Sequence, residues 1–299
     1  MRAELLIVVA MFVPSSAHAQ AWTPPAGSGS INVVFQGIDN RGHRNADGSY
    51  DPSGKSRDGS LYFEFEYAVT DRLVVSAGLP YVFAKFIGPA PPFPMQPVDE
   101  CYCWNSGWQD FTFSTRYNIH SGPTGVTPFF IVGVPSHEYV YRGEAVVGTH
   151  LREARVGVTA GRRLDAISPR LSVQGSYSYA FVEPVIDVEH NRSNVMFEAA
   201  VLATRKFSVR GTALWQRTHG GLRAPSPGHP QGDVLTPLLG SQHDRLMRDN
   251  YLRVGGAAAW SLPKVDVFGA WVHFLSGTST HTGDAFTVGM SYPFEWHPR

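Results

Sequence analysis

The chain has 299 residues, and its 25 Lys and Arg are balanced by 25 Asp and Glu, so the formal net charge is zero. This neutrality argues against a nucleic-acid partner, which would require a basic excess. The two cysteines, Cys101 and Cys103, are too few to close a structural zinc site, so no metal centre of that kind is expected.

The first residues have the pattern of an export signal. Arg2 supplies a positive charge, Leu5 to Val13 form a short apolar run, and Ala17-His18-Ala19 has the small-x-small pattern of a signal-peptidase site. The apolar run is too short to cross a bilayer as a helix. We therefore predict a signal peptide over residues 1–19, which is removed, and one mature domain over residues 20–299.

Alternation of apolar and polar residues dominates the rest of the chain. It recurs in segments of about ten residues, which is the length that a tilted membrane strand needs. Turn residues separate the segments, as expected for strands joined by hairpins. The predicted strands cover residues 30–40, 59–69, 72–86, 108–119, 126–138, 151–163, 170–182, 193–203, 206–218, 250–262, 264–275 and 284–294.

The segment over 59–69 shows the alternation most clearly. Leu61, Phe63 and Phe65 fall on one face. Glu64 and Glu66 fall on the other face. Two carboxylates on one face of a strand are costly in a dry core but natural inside a water-lined barrel, whose strands point apolar residues outward and polar residues inward.

The predicted connections alternate between short and long. The short ones are Thr70-Asp71, His120 to Gly125, Leu164 to Pro169, Thr204-Arg205 and Leu262-Pro263. The long ones cover residues 41–58, 87–107, 139–150, 183–192, 219–249 and 276–283. Membrane barrels have tight periplasmic turns and long external loops. We therefore predict an all-β fold: a transmembrane, antiparallel, up-and-down β-barrel of about twelve strands.

The last predicted strand carries an apolar stripe that ends in an aromatic residue. The stripe consists of Phe286, Val288, Met290, Tyr292 and Phe294. It resembles the C-terminal recognition signal of outer-membrane barrels, except that a short tail follows Phe294. We therefore expect the strand ending at Phe294 to contact the barrel-assembly machinery and the mature protein to lie in the lipid of the cell outer membrane.

Several short motifs resemble one family. They are Trp22-Thr23-Pro24-Pro25-Ala26-Gly27 before the first strand, Tyr67 to Leu73 at the first hairpin, Gly78-Leu79-Pro80-Tyr81, and Gln109-Asp110-Phe111-Thr112-Phe113 with Arg116-Tyr117-Asn118. This set is similar to the putative transporters named for the meta-cleavage pathway of phenol degradation, which are grouped with hydrocarbon and fatty-acid channels. The resemblance implies a barrel that passes small, often aromatic or hydrophobic, molecules, and it implies no catalytic residue.

Charged residues on the inward face are the candidate functional residues. They are Glu64, Glu66, Asp110, Arg116, Glu153, Arg155, Glu198, Arg210 and Arg253. In a pore, such charges select solutes by sign and size. Opposite charges on neighbouring strands can also pair with each other and close a narrow barrel. A barrel of about twelve strands is intermediate in width between small barrels, which their own side chains fill, and large barrels, which hold a water channel. We predict a passive channel for a small solute without a cofactor, with a non-conducting structural or adhesive envelope barrel as the alternative.

A second alternative is a lipid hydrolase at the outer rim. Ser136-His137 and Thr218-His219 fall at outer strand ends. A serine nucleophile needs a histidine within hydrogen-bond reach and a third group that orients the histidine. Adjacent strand residues point to opposite faces, so Ser136 and His137 are not expected to partner each other. We therefore assign no catalytic residue and do not expect an enzyme.

The remaining reactive side chains indicate no further site. Cys101 and Cys103 are predicted to pair in an oxidising compartment or to stay as thiols, since the ring they would close is small and strained. Histidines such as His43, His150 and His190 fall in or near predicted outer loops, but no pair has the spacing of a metal site.

Overall fold

The computed structural model describes residues 20–52, 55–87, 103–139, 147–223, 232 and 243–296. The predicted signal peptide over residues 1–19 lies outside these ranges. Within them, no helix has the length and hydropathy needed to cross a membrane.

Fourteen strands and one short helix make up the regular structure of the described residues. The strands are β1 (Ser28–Arg44), β2 (Tyr50–Asp51), β3 (Ser56–Ala68), β4 (Leu73–Phe86), β5 (Asn105–Trp108), β6 (Phe111–Tyr117), β7 (Thr124–Val134), β8 (Glu153–Arg163), β9 (Leu171–Val182), β10 (His190–Leu202), β11 (Phe207–Gly220), β12 (Asn250–Ser261), β13 (Asp266–Thr278) and β14 (Thr280–Glu295), and the helix is α1 (His243–Leu246).

The strands form one closed antiparallel barrel. Apart from β2 and β5, each strand pairs with the strands before and after it in chain order, and β14 pairs with β1 to close the ring, for example Val33 with Met290. Both β5 and β6 pair with β4, so together they form one interrupted wall strand, whereas β2 pairs only with the outer end of β1. The wall therefore has twelve strands, as predicted, and the pairing of β14 with β1 leaves no open edge in this wall.

The two faces of the wall have opposite chemistry. On β3, Phe63 and Phe65 are 42% and 45% exposed on the outer face, whereas Tyr62 and Glu66 are 8% and 7% exposed on the inner face. The other strands repeat this pattern. Large exposed apolar side chains on the outer face include Ile31, Phe113, Phe130, Val156, Tyr177, Phe197, Trp215 and Phe286. Buried polar side chains inside include Asn32, Ser60, Thr127, Thr159, Gln174, Asn194, Gln216 and Ser291. This apolar-out, polar-in arrangement is that of a transmembrane barrel.

The short turns lie together at one end of the barrel, which we name the inner end. Residues 69–72, 118–123, 164–170, 203–206 and 262–265 form these turns, close to the predicted positions. The opposite end, named the outer end, carries the longer connections.

One predicted long connection is wrong. Residues 276–283 do not form a loop, because β13 extends to Thr278 and β14 begins at Thr280, with Ser279 at a positive φ of 50° between them. Beyond the pair His273–Asp284, β13 and β14 no longer pair with each other. There β13 stays paired with β12, and β14 stays paired with β1. Both segments therefore remain strands although their polar sequence is typical of a turn.

Candidate functional site

The inner faces of the strands bring the nine predicted charged residues into one lumen. The alternation of side chains along each strand produces this arrangement, because residues two positions apart point to the same face of the sheet. Glu64, Glu66, Asp110, Arg116, Glu153 and Arg155 line a common cavity, and Glu198, Arg210 and Arg253 are inward residues of β10, β11 and β12.

Most of these charges are paired across strands. The Arg116 Nη2 lies 2.8 Å from the Glu66 Oε1, and the Arg210 Nη1 lies 3.6 Å from the Glu198 Oε2. Glu198 also accepts a hydrogen bond of 3.0 Å from the Gln174 Nε2. Pairing offsets the cost of removing these charges from bulk water.

Glu153 is the acceptor of two guanidinium groups. The Arg155 Nη2 lies 2.6 Å from its Oε1, and Arg192 donates to its Oε2. Arg192 comes from β10, which begins at His190, whereas the sequence placed residues 183–192 in a loop. This cluster therefore holds β8 and β10 together across β9, and two positive charges face one carboxylate.

Two charged residues have different surroundings. Glu64 accepts a 3.0 Å hydrogen bond from the Asn32 Nδ2, and among the described residues it forms no ion pair. The Arg253 guanidinium lies 4.4 Å from the centre of the Tyr251 ring, a cation–π contact. Of these two residues, Glu64 lines the cavity and Arg253 does not.

A cavity of about 310 Å³ lies among these groups. Its charged lining consists of Glu64, Glu66, Asp110, Glu153, Arg116, Arg155 and Arg192. Its apolar lining consists of Tyr62, Pro80, Phe129, Ile131, Leu151 and Met196. The size is that of a small-molecule site, and charged and apolar groups share its walls.

Outer connections fold over one end of this cavity. The Tyr139 hydroxyl donates a 2.6 Å hydrogen bond to the Asp110 Oδ1 and accepts one of 2.8 Å from the backbone N–H of His150. Burial of Tyr139 and the adjacent Asp110 carboxylate raise the pKa of the phenol, so it stays protonated as a donor. The Arg245 Nη2 donates to the His150 carbonyl oxygen at 3.0 Å, which ties a further connection to the same group.

The segment before β1 lies at the inner end of the cavity. Gln20 lines the cavity, and Ala21 is fully buried. The carbonyl oxygen of Ala21 accepts hydrogen bonds from the Asn118 Nδ2 at 3.0 Å and the Thr127 Oγ1 at 2.9 Å. Nothing in the alternation pattern indicated that these residues enter the barrel.

The outer wall carries a Ser–His pair that the sequence did not predict. The Ser193 Oγ lies 2.8 Å from the His219 Nε2 and 3.2 Å from the Tyr177 hydroxyl. Ser193 faces outward, because its neighbours Arg192 and Asn194 line the cavity. The two residues lie on neighbouring strands, 26 positions apart, so only the register of β10 with β11 brings them together.

The expectation that Ser136 and His137 do not partner each other is wrong. Strand β7 ends at Val134, so these residues lie beyond it and strand alternation does not separate them. The Ser136 Oγ lies 2.8 Å from the His137 Nδ1, and the pair is exposed.

The cysteines and histidines add no metal centre in the part of the chain that is described. Among those residues, no group of three or more His, Cys, Asp or Glu side chains could hold a metal ion. Cys101 lies outside the described residues, so its pairing with Cys103 stays a prediction.

The fold and its lumen define a class: closed twelve-strand barrels with an apolar outer wall and a polar interior. Solved structures of outer-membrane barrels have a similar fold. The outer-membrane channel COG4313 from Pseudomonas putida F1 has a TM-score of 0.70 at 12% identity, covering 93% of this chain and 99% of that one. The NanC porin has a TM-score of 0.50 at 9% identity, covering 88% and 98%. At these identities the likeness is one of fold.

No protein-family model matches the sequence. No curated protein matches it either.

Proposed function

We propose that this protein is an outer-membrane channel through which small solutes with an apolar body and a polar group diffuse passively. One observation carries the proposal: the barrel encloses a cavity of about 310 Å³ whose wall combines ion-paired charges with apolar side chains. A barrel filled by its own side chains would leave no such space. The inward charges then select solutes by sign and size.

The outer wall supports a location in the outer membrane. Its exposed apolar side chains surround the barrel, and a contiguous apolar surface of this kind marks a membrane or partner contact. The stripe Phe286, Val288, Met290 and Tyr292 faces outward on β14, where each residue is 39% exposed or more. We expect the barrel-assembly machinery to bind this strand before it closes on β1.

The lining indicates the solute class. Phe129, Ile131 and Met196 offer an apolar surface, whereas Arg155 and Arg192 share the single carboxylate of Glu153. A small aromatic carboxylate would satisfy both surfaces, because its ring packs on the apolar side chains and its carboxylate meets the guanidinium groups. The resemblance to transporters of phenol degradation also favours aromatic solutes.

Single-channel recording in a planar bilayer tests the proposal. The purified, detergent-refolded protein should give discrete conductance steps, and benzoate should reduce the ion current more than acetate does. Equal effects of benzoate and acetate would contradict the proposal that the solute is aromatic, but they would be consistent with a channel. A folded but silent barrel would contradict the channel and favour the non-conducting structural or adhesive alternative.

A second candidate function is hydrolysis of a lipid ester at the outer rim. The observation that favours it is the hydrogen bond between Ser193, which is 6% exposed, and His219 on the outer face of the wall near the outer end of β10. Arg217 is the cross-strand neighbour of Ser193 and would face a phosphate headgroup. Release of fatty acid from phosphatidylethanolamine vesicles should disappear in Ser193→Ala and persist in Ser136→Ala. No release by the folded wild type would exclude this function.

A further inference from the structure

The side chain of Asn194 projects from β10 toward the cavity with its hydrogen-bonding capacity unused. The residue lines the cavity and is 4% exposed. Neither its Oδ1 nor its Nδ2 has a hydrogen-bond partner among the described residues. A buried amide in this state costs free energy, because it has lost its bonds to water and gained none in return. A ligand that supplies the missing hydrogen bonds would remove this cost.

The cross-strand neighbours of Asn194 do not supply these bonds. Gln216 on β11 is already engaged, since its Nε2 donates to the Asp249 carbonyl oxygen at 3.0 Å and its Oε1 accepts from the Tyr251 hydroxyl at 3.2 Å. Ser178 on β9 also lines the cavity, and it forms no hydrogen bond with Asn194. The amide and the serine hydroxyl therefore form a polar patch that faces the cavity.

An aromatic side chain lies in the same row of the wall. Phe129 on β7 pairs with Gly157 on β8. Gly157 in turn pairs with Ser178, which pairs with Asn194. A Cβ atom at Gly157 would lie 2.4 Å from the Phe129 Cζ, so the ring lies over the glycine and points toward Ser178 and Asn194. A solute ring that packs on Phe129 is thereby brought beside the amide.

Two guanidinium groups belong to the next row toward the outer end. Arg155 and Arg192 flank Ala180 in this row, and both line the cavity. Arg192 and Asn194 are two residues apart on the same face of β10, which separates their Cα atoms by about 7 Å. This spacing leaves room for a benzene ring between a carboxylate at the guanidinium groups and a second polar substituent at Asn194.

We propose that Asn194 recognises a hydroxyl group on the ring of the solute, so that the preferred solute is an aromatic carboxylate with a hydroxyl opposite the carboxylate. This inference rests on the proposed channel for aromatic carboxylates. A hydroxyl suits the amide, because it donates to the Oδ1 or accepts from the Nδ2. Benzoate leaves both amide atoms without a partner, so the hydroxyl and not the carboxylate discriminates between the two acids.

Isothermal titration calorimetry of the detergent-refolded protein tests the site without requiring conduction. The wild type should bind 4-hydroxybenzoate about tenfold more tightly than benzoate, which is the contribution of about one net hydrogen bond. The isomer 2-hydroxybenzoate has its hydroxyl beside the carboxylate, away from Asn194, and should bind like benzoate.

Asn194→Leu should abolish the preference for 4-hydroxybenzoate and retain the affinity for benzoate, and Asn194→Ala serves if the leucine variant does not fold. The matched control is Ser176→Ala, which removes a hydroxyl from the cavity wall one row farther toward the inner end and should keep the preference. Equal wild-type affinities for the two acids, no binding of either acid, or an undiminished preference in a folded Asn194 variant would overturn the role of Asn194.

Single-channel recording separates this result from the fate of the channel. Conductance steps from a wild type without the preference would overturn the hydroxyl site while the channel stands. A folded protein that is silent in the bilayer but prefers 4-hydroxybenzoate in calorimetry would overturn the channel while the binding site stands.

Discussion

Glu66 and Arg116 meet inside the barrel although β4 separates their strands. The Arg116 Nη2 lies 2.8 Å from the Glu66 Oε1, and the two side chains are 13% and 9% exposed. The pair therefore connects β3 with β6 across the inner face of β4. Backbone hydrogen bonds do not make this connection, because β3 and β6 each pair with β4 and not with each other.

Removing one member of this pair should destabilise the barrel. In Arg116→Met the carboxylate of Glu66 stays in the lumen without its partner, and loss of one partner of a buried ion pair costs about 3 kcal/mol. Urea titration of the refolded protein, followed by its mobility shift in gels, measures the loss. The double variant Glu66→Gln with Arg116→Met should recover most of the stability, and an equally unstable double variant would contradict this explanation.

The cavity as a whole should pass small inorganic cations slightly more readily than chloride, although an organic carboxylate can still bind locally at its guanidinium groups. Its described charged lining has four carboxylates, from Glu64, Glu66, Asp110 and Glu153, against three guanidinium groups. Glu64→Gln should therefore lower the ratio of potassium to chloride permeability, measured as the reversal potential in a salt gradient. Asp39→Asn is the control, since Asp39 faces outward and its side chain is 52% exposed. An unchanged reversal potential in Glu64→Gln would contradict a selective role for this carboxylate.

An arginine introduced at two neighbouring positions of β10 should have different effects, on stability at one position and on conductance at the other. Phe197 is 50% exposed on the outer wall, whereas Met196 lines the cavity. Phe197→Arg should reduce the free energy of folding into lipid vesicles by about 2–4 kcal/mol, because arginine is costly at the bilayer midplane. Met196→Arg should fold nearly as well and lower the conductance. Comparable losses of stability in both variants would argue against the assigned faces.

A methyl group at Gly78 should narrow the pore through Tyr62. The Tyr62 hydroxyl lies 2.9 Å from the Thr112 Oγ1, and a Cβ at Gly78 would lie 2.0 Å from that hydroxyl. Because the contact is with the far end of a side chain, Gly78→Ala should fold and push the ring into the cavity. We expect a lower conductance than in Gly175→Ala, where the nearest heavy atom lies 3.6 Å from an added Cβ. Equal conductance in the two variants would contradict this.

The sequence predicts the strands of the barrel wall, because the alternation of apolar and polar residues indicates both where a strand lies and which of its faces points outward. Glu64 and Phe63 are assigned to the correct faces since a strand repeats every second residue. The same reasoning fails for strands that are apolar on both faces. Phe129 and Ile131 line the cavity, but their strand β7 gives no polar face by which to orient it.

The residues that the sequence did not indicate depend on contacts between distant segments. Ser193 and His219 meet through strand register, Arg192 reaches the lumen because β10 begins earlier than predicted, and Ala21 enters the barrel through bonds to residues about a hundred or more positions away. No local pattern encodes such contacts. A Cβ atom at Gly125 would lie 2.3 Å from the Ala21 carbonyl oxygen, so the need for glycine there is visible only in the folded barrel.

The pairing of β1 with β14 has a consequence for assembly of the barrel. It joins the two ends of the chain, Gly29 with Phe294 and Arg44 with Thr280. Contacts of such sequence separation form slowly, and until they form both terminal strands keep an open edge that lipid does not tolerate. A chain that stops before Thr280 is therefore left as an open sheet and not as a smaller barrel. We therefore expect stable insertion only when the final strand has paired with β1.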